Sequence, residues 1–327
     1  MPQELYPFTF QPIFKDRIWG GRKLEQLYGK VLPPRIPIGE SWEITDRPEG
    51  VSVVTNGPLA GRDLRWLIQH HARELLGDSR PCGGRFPLLV KILDAQEKLS
   101  LQVHPPAHKA LELRGDPKTE MWYVADAFPE ADLFVGLRHG ATRAEFERRI
   151  RDGSVAECFH RILVKRGDSM FLPSGRVHAL GAGNVIFEIQ QNSDTTYRVF
   201  DWNRAGLDGK PRELHIPQAL ASINFDDFEP ALAPAAWKKE GAHEARPLAA
   251  CELFSVNLLR LKRATDIELG GNRVTVLGVA EGGLSVTWGK TMCELKPGDF
   301  CVVPAACVNS TVLRASESTV FLQAIAL

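Results

Sequence analysis

Two stretches of this chain carry side chains able to hold a divalent cation. In Leu99-Ser100-Leu101-Gln102-Val103-His104, apolar and polar residues alternate, and successive side chains of a strand point to opposite faces. Leu99, Leu101 and Val103 therefore share one face, and Ser100, Gln102 and His104 share the other. Pro105 and Pro106 cannot donate to a ladder, so the strand is predicted to stop there with His104 at its rim. Downstream, Lys118 precedes Glu120 by two residues, which puts an ammonium and a carboxylate on one face of a second strand. The second stretch runs from Gly167 through Pro173 and Gly175 to His178, and reads as a turn, a strand and a turn that deliver a histidine to a sheet wall. A single histidine is more often packed or hydrogen-bonded than ligating. Neutral imidazoles combined with a carboxylate, however, are a set that a divalent metal accepts.

The elements that must position these groups are mostly short strands. Phe86 to Leu93 reads as a buried strand with one charge, Lys91; Met121 to Ala125, Leu133 to Leu137, Arg161 to Val164, Met170 to Pro173 and Val185 to Gln191 continue in strand composition. Along the last of these, Glu188 and Gln190 share a face. Helical spacing occurs in three places. Leu64, Leu67, Ile68 and Leu75 follow Asp63 as a cap and precede Gly77 as a stop. Thr142 and Glu145 form a capping box ahead of Phe146 and Ile150, with Gly153 after them, which predicts a small helical insertion near 140–157. A last short helix is expected over His215 to Ile223, with Pro217 in its first turn. Residues 227–248, rich in Ala, Pro and charge, read as a linker.

Composition narrows the class. The chain has 327 residues, 44% of them hydrophobic, enough for about two domains. Lys plus Arg (40) balances Asp plus Glu (40), so no net charge recruits nucleic acid or an anionic membrane. Six cysteines occur without a CxxC pair, the start of the chain lacks the basic and apolar regions of a signal peptide, and no apolar run reaches membrane-spanning length. A cytoplasmic protein with reduced thiols and no nucleic-acid or membrane partner is expected. Gly167-Asp168, Pro173 and His178 also recur, at a constant offset of 131, as Gly298-Asp299, Pro304 and Asn309. That register suggests a duplicated fold whose second copy, with asparagine for histidine, binds no metal.

The spacing from Gly167 to His178 resembles the second motif of the cupin superfamily, and the stretch with His104 and Glu120 resembles part of the first, with Gln102 where most cupins carry another histidine. The resemblance implies a mainly β fold of two cupin-like double-stranded β-helix (jelly-roll) domains, residues 1–240 with the metal and the helical insertion, and 241–327 without a metal site. It also implies a ligand set of Gln102, His104, Glu120 and His178. Such a set suits one Zn2+ per chain acting as a Lewis acid, and the glutamine argues against an iron oxygenase.

More narrowly, Leu99 to Pro105, Lys118 to Tyr123, Gly167 to His178, Asn192 to Val199, the Trp19-Gly20-Gly21 start and Gly39 to Glu43 resemble type I mannose-6-phosphate isomerase in its short bacterial form. That family implies a zinc-dependent aldose–ketose isomerase acting on a hexose phosphate, interconverting mannose 6-phosphate and fructose 6-phosphate through an enediol. By motif, Arg198 would be catalytic, and Ser100, Lys118 and Arg204 would meet the phosphate. Glu188 is expected to carry the proton; the alternative is a carboxylate that only orients Arg198, with Lys118 or a zinc-bound water next in line as carrier. Two rivals differ in class: a metal-dependent phosphosugar-binding cupin without catalysis, and a redox cupin.

Overall fold

The computed structural model describes residues 4–327. It is mainly β, as expected, with every sheet antiparallel. Strands up to Phe200 build two large sheets and a two-stranded ribbon, Asp46–Arg47 with Gly50–Val51. One large sheet has six strands, in the order Ile13–Gly21, Ile38–Ile44, Leu88–Ala95, Asn184–Gln191, Glu120–Ala127, Ser169–Leu172; the other has five, Tyr197–Phe200, Leu101–Val103, His178–Leu180, Asp132–Leu137, Phe159–Leu163. Strands from Lys238 onward build a further six-stranded and a four-stranded sheet.

Side-chain alternation decides what each face of the first six-stranded sheet does. Along Asn184–Gln191, Val185, Phe187 and Ile189 enter a core shared with the later sheets, where Phe187 meets Phe300 edge to face at 5.3 Å. Ile186 packs instead against Leu133, Val135 and Leu180 of the five-stranded sheet. Glu188, on that same side, lines a cavity between the two sheets. Leu88–Ala95 repeats the division: Leu88, Val90 and Ile92 enter the shared core, while Lys91 and Leu93 line the cavity. Both faces are buried, so these strands read as nearly continuous apolar runs, and the polar residues on the cavity side stand out.

Two helices follow their capping signals. Leu64–Leu76 begins where the Asp63 carboxylate accepts from Trp66 N at 2.6 Å, and Gly77 ends it in a positive-φ conformation. Thr142 Oγ1 accepts from Glu145 N at 3.2 Å to start Arg143–Asp152, which buries Phe146 against Phe159 and Phe225. The last of the expected helices forms as Ile216–Ser222, with Pro217 in its first turn, and short helices not expected from the sequence occur at Lys23–Tyr28, Ala107–Ala110 and Ala305–Val308.

Three details depart from expectation. The linker predicted through residue 248 is a hairpin from Lys238, pairing Lys238–Glu240 with His243–Ala250. Pro247 is tolerated because it lies past the end of that pairing and beside a register shift, where no ladder hydrogen bond is needed. The strand expected from Leu99 starts at Leu101, and the one expected to hold Lys118 starts at Glu120, so Ser100 and Lys118 enter from irregular backbone.

The two Gly-Asp turns are built alike. Asp168 Oδ2 accepts from Lys165 N at 2.9 Å, and Asp299 Oδ2 accepts from Lys296 N at 3.1 Å. Gly167 N donates to Val124 O at 2.8 Å, and Gly298 N donates to Val279 O at 2.9 Å, both glycines at positive φ. Next to each turn the pairing skips one alanine, Ala125 in one case and Ala280 in the other.

Candidate active site

His104, Glu120 and His178 come from three segments and meet between the first two sheets. His178 Nε2 lies 3.4 Å from Glu120 Oε1, and His104 Nε2 lies 3.5 Å from Glu120 Oε2. One ligating atom from each falls within 4.8 Å of the others. His104 closes its strand as predicted, yet it is 1% exposed, because the proline turn folds it inward.

Backbone carbonyls orient both rings. His104 Nδ1 donates to Thr195 O at 2.8 Å and His178 Nδ1 donates to Arg176 O at 2.9 Å. A carbonyl only accepts, so each proton sits on Nδ1 and each bare Nε2 turns toward Glu120. Burial lowers the basicity of both imidazoles, taking His178 down to about 3, which keeps them neutral. Burial works against ionisation of Glu120 as well, but the Lys118 ammonium outweighs it and holds the carboxyl well below the usual range.

Those groups fit a divalent cation. His104 Nε2 and both Glu120 oxygens are buried without a hydrogen-bond partner among the described residues, and such atoms are costly to bury unless something satisfies them. Lys118 Nζ approaches Glu120 Oε2 to 2.8 Å, an ion pair in distance without hydrogen-bond alignment. Gln102 lies beside the cluster. Its Nε2 is 3.3 Å from His178 Nε2 and its Oε1 accepts from Ser100 Oγ at 3.2 Å, so the amide must turn over to offer oxygen to a metal.

A cavity of about 660 Å³ opens beside Gln102 and Lys118. Ser100, Glu188 and Arg198 line it, so five of the expected site residues share one wall system. Glu188 Oε1 accepts from Trp122 Nε1 at 2.9 Å, and burial pushes its carboxyl up despite Lys118. Arg204 is the exception. It lines a separate hollow with Glu97 and Trp202, drawn there by Asp201 at 2.8 Å and Glu97 at 3.5 Å.

Sequence reasoning missed several residues of the same cavity. Lys91 reaches Asp194 at 3.0 Å, Glu40 at 3.6 Å and Glu188 at 3.8 Å, and Glu40 also accepts from Arg17 and Trp42. Lys91 was visible as the one charge in an apolar strand, which is a usable signal. Arg212 and His215 carried none, because a loop separates them from every motif. Trp19, for which composition favours a core role over a cavity wall, takes both: it packs in the core between the first two sheets and borders the cavity.

A buried imidazole–carboxylate cluster beside a charged cavity, inside a mainly β fold, defines a class of sugar-sized, metal-dependent sites. Residues 8–135 match the family model for the phosphomannose isomerase type I catalytic domain. The chain is 42% identical to a protein of Bacillus subtilis named as probable mannose-6-phosphate isomerase GmuF, over 77% of this chain and 78% of that one. It is 36% identical to the mannose-6-phosphate isomerase ManA of the same organism, over 91% and 93%. A crystal structure of the mannose 6-phosphate isomerase from Bacillus subtilis superposes with a TM-score of 0.88 at 31% identity, covering 98% of this chain and 99% of that one. The chain belongs to the type I mannose-6-phosphate isomerase family, and the expectation of an isomerase enzyme is met.

Proposed function

We propose that this protein interconverts mannose 6-phosphate and fructose 6-phosphate, with one Zn2+ held by His104, Glu120, His178 and the turned-over amide of Gln102. The observation that carries the reading is the set of partnerless ligating atoms next to the charged cavity. Zinc, when bound, supplies Lewis acidity to the sugar's carbonyl and hydroxyl oxygens. The remaining work falls to side chains. Interconversion moves a proton between C1 and C2 through an enediol, which needs a group that can take the proton and return it. Glu188 has that capacity: it lines the cavity, and burial raises its carboxyl toward working pH. Arg198 offsets negative charge developing on the substrate oxygens. Lys118, kept protonated by Glu120 and Glu188 although burial opposes it, holds a cation next to the ligands. Ser100 and Lys118 offer donors to the phosphate.

The architecture we propose is two jelly-roll domains, residues 1–240 holding the metal and residues 241–327 not, in a cytoplasmic protein. Support comes from the matching Gly-Asp turns and the offset-131 register. A coupled assay with mannose 6-phosphate in deuterated solvent, before and after chelation, tests the reaction. Turnover with deuterium at the migrating position, lost on chelation and restored by zinc, is the expected result. Tight binding of the sugar phosphate without turnover would favour the non-catalytic cupin.

A further inference from the structure

Three guanidiniums converge on one side of the cavity: Arg17, Arg198 and Arg212. Glu40 meets Arg17 at 2.7 Å, and Asp201 Oδ2 and Oδ1 accept from Arg212 Nε and Nη2 at 2.6 and 2.5 Å. Arg198 Nε is buried and finds no acceptor among the described residues. Burial, followed by repulsion from Arg212, makes Arg198 harder to protonate than an ordinary arginine. Arg212 Nη1, the arm Asp201 does not use, makes no hydrogen bond among the described residues.

The placement of Arg212 has a mechanical cause. Arg204 and Arg212 flank a loop closed by an Ala205–Pro211 bridge and by Gly206 N donating to Lys210 O at 2.7 Å. Asp201 grips both flanks, accepting from Arg204 Nη2 at 2.8 Å as well as from the Arg212 fork. One carboxylate therefore turns Arg212 inward and keeps Arg204 on the outer hollow.

We infer that Arg212, with Arg198 beside it, completes the phosphate receptor to which Ser100 and Lys118 offer donors, in the role the family resemblance assigned to Arg204. Two guanidiniums, Arg198 from its strand and Arg212 from the loop flank, can chelate a phosphate through paired N–H donors, a geometry that a lysine cannot reproduce. Arg204 is a positioning residue that acts through Asp201. The inference rests on the proposed hexose-phosphate chemistry, and inorganic phosphate separates the two.

Calorimetric titration of the zinc-loaded protein with inorganic phosphate, alongside the KM for mannose 6-phosphate, tests it on Arg212→Ala, Arg212→Lys and Arg204→Ala. Arg212→Ala is expected to weaken phosphate binding and raise KM by about 10-fold or more, with kcat changed less. Arg212→Lys should fall between it and wild type, and Arg204→Ala should stay within about 3-fold. If Arg212→Ala does not fold, the lysine variant carries the comparison. The inference is overturned if wild type binds no phosphate, if the Arg212 variants bind it as wild type does, or if Arg204→Ala loses more than Arg212→Ala. A wild type that binds phosphate through Arg212 yet does not isomerise the sugar would sink the isomerase reading and leave this one standing.

Discussion

The strand after Gly167-Asp168 and the strand after Gly298-Asp299 leave turns of the same construction, and what lies beyond differs. Ser169–Leu172 pairs so that Leu172 faces Glu120; Phe300–Val303 pairs so that Val303 faces Thr275. Further on, His178 is buried in the ligand cluster, whereas Asn309 ends a short helix, lies exposed, and accepts from Gly271 N at 3.0 Å. The interior of the later sheets is filled by residues such as Val286, Leu313 and Phe321. The turn, its glycine and its bulge are therefore requirements of the fold, met in both places by the same hydrogen bonds. Chemistry is decided at interior positions, where a charged group persists only if a partner offsets its desolvation.

Removing a proposed ligand from the first region should have the largest effect. His178→Ala is expected to abolish zinc binding and turnover, beyond the roughly 10–100-fold that loss of a mere outer hydrogen-bond partner costs; plasma emission spectrometry of the purified variant reads the metal. Glu188→Gln should lower kcat by about 100-fold to 10,000-fold while zinc content stays at one per chain. Near-full turnover in that variant would remove Glu188 as the proton carrier. Phe187→Ala, one residue away but facing the shared core, should leave the site chemistry alone and cost about 3–5 kcal/mol in a denaturant melt.

A pH titration sharpens the same contrast. Burial opposes ionisation of Glu40, but Lys91 and Arg17 outweigh it and lower its carboxyl from 4.5 to about 2. A carboxyl lower in the folded than in the unfolded chain stabilises the fold above the unfolded value, and that stability is lost as pH falls from 4.5 toward 2. It amounts to roughly 3 kcal/mol, so Glu40→Gln should flatten the stability curve across that window. The smallest effect belongs to the second region: Asn309→His should leave zinc at one per chain, since its side chain faces solvent. Two zinc ions per chain would show that the later sheets retain a latent site.

How much of this was legible follows from the same physics. Period-two alternation located Gln102, His104, Glu188 and the strands that carry them, and capping chemistry located the helices from Asp63 and Thr142. Those signals are local. Arg212 was invisible because its role depends on a loop folding back onto Asp201, an outcome that neither propensity nor spacing encodes. Arg204, six residues after Arg198, followed the family spacing and was turned outward by that same carboxylate. The linker expected over residues 227–248 gives way to a hairpin from Lys238 because a composition rich in Ala, Pro and charge does not reveal that a neighbouring strand pairs with it.

The strand Asn184–Gln191 serves the cavity with Glu188 and the shared core with Phe187 and Ile189, in strict alternation. An inserted or deleted residue there would exchange the two sets, seating a phenylalanine in the pocket and a carboxylate in the grease. Length variation among descendants of this gene should accordingly collect in the Ala205–Pro211 loop and around Arg143–Asp152, while that eight-residue span keeps its count even where its apolar letters drift.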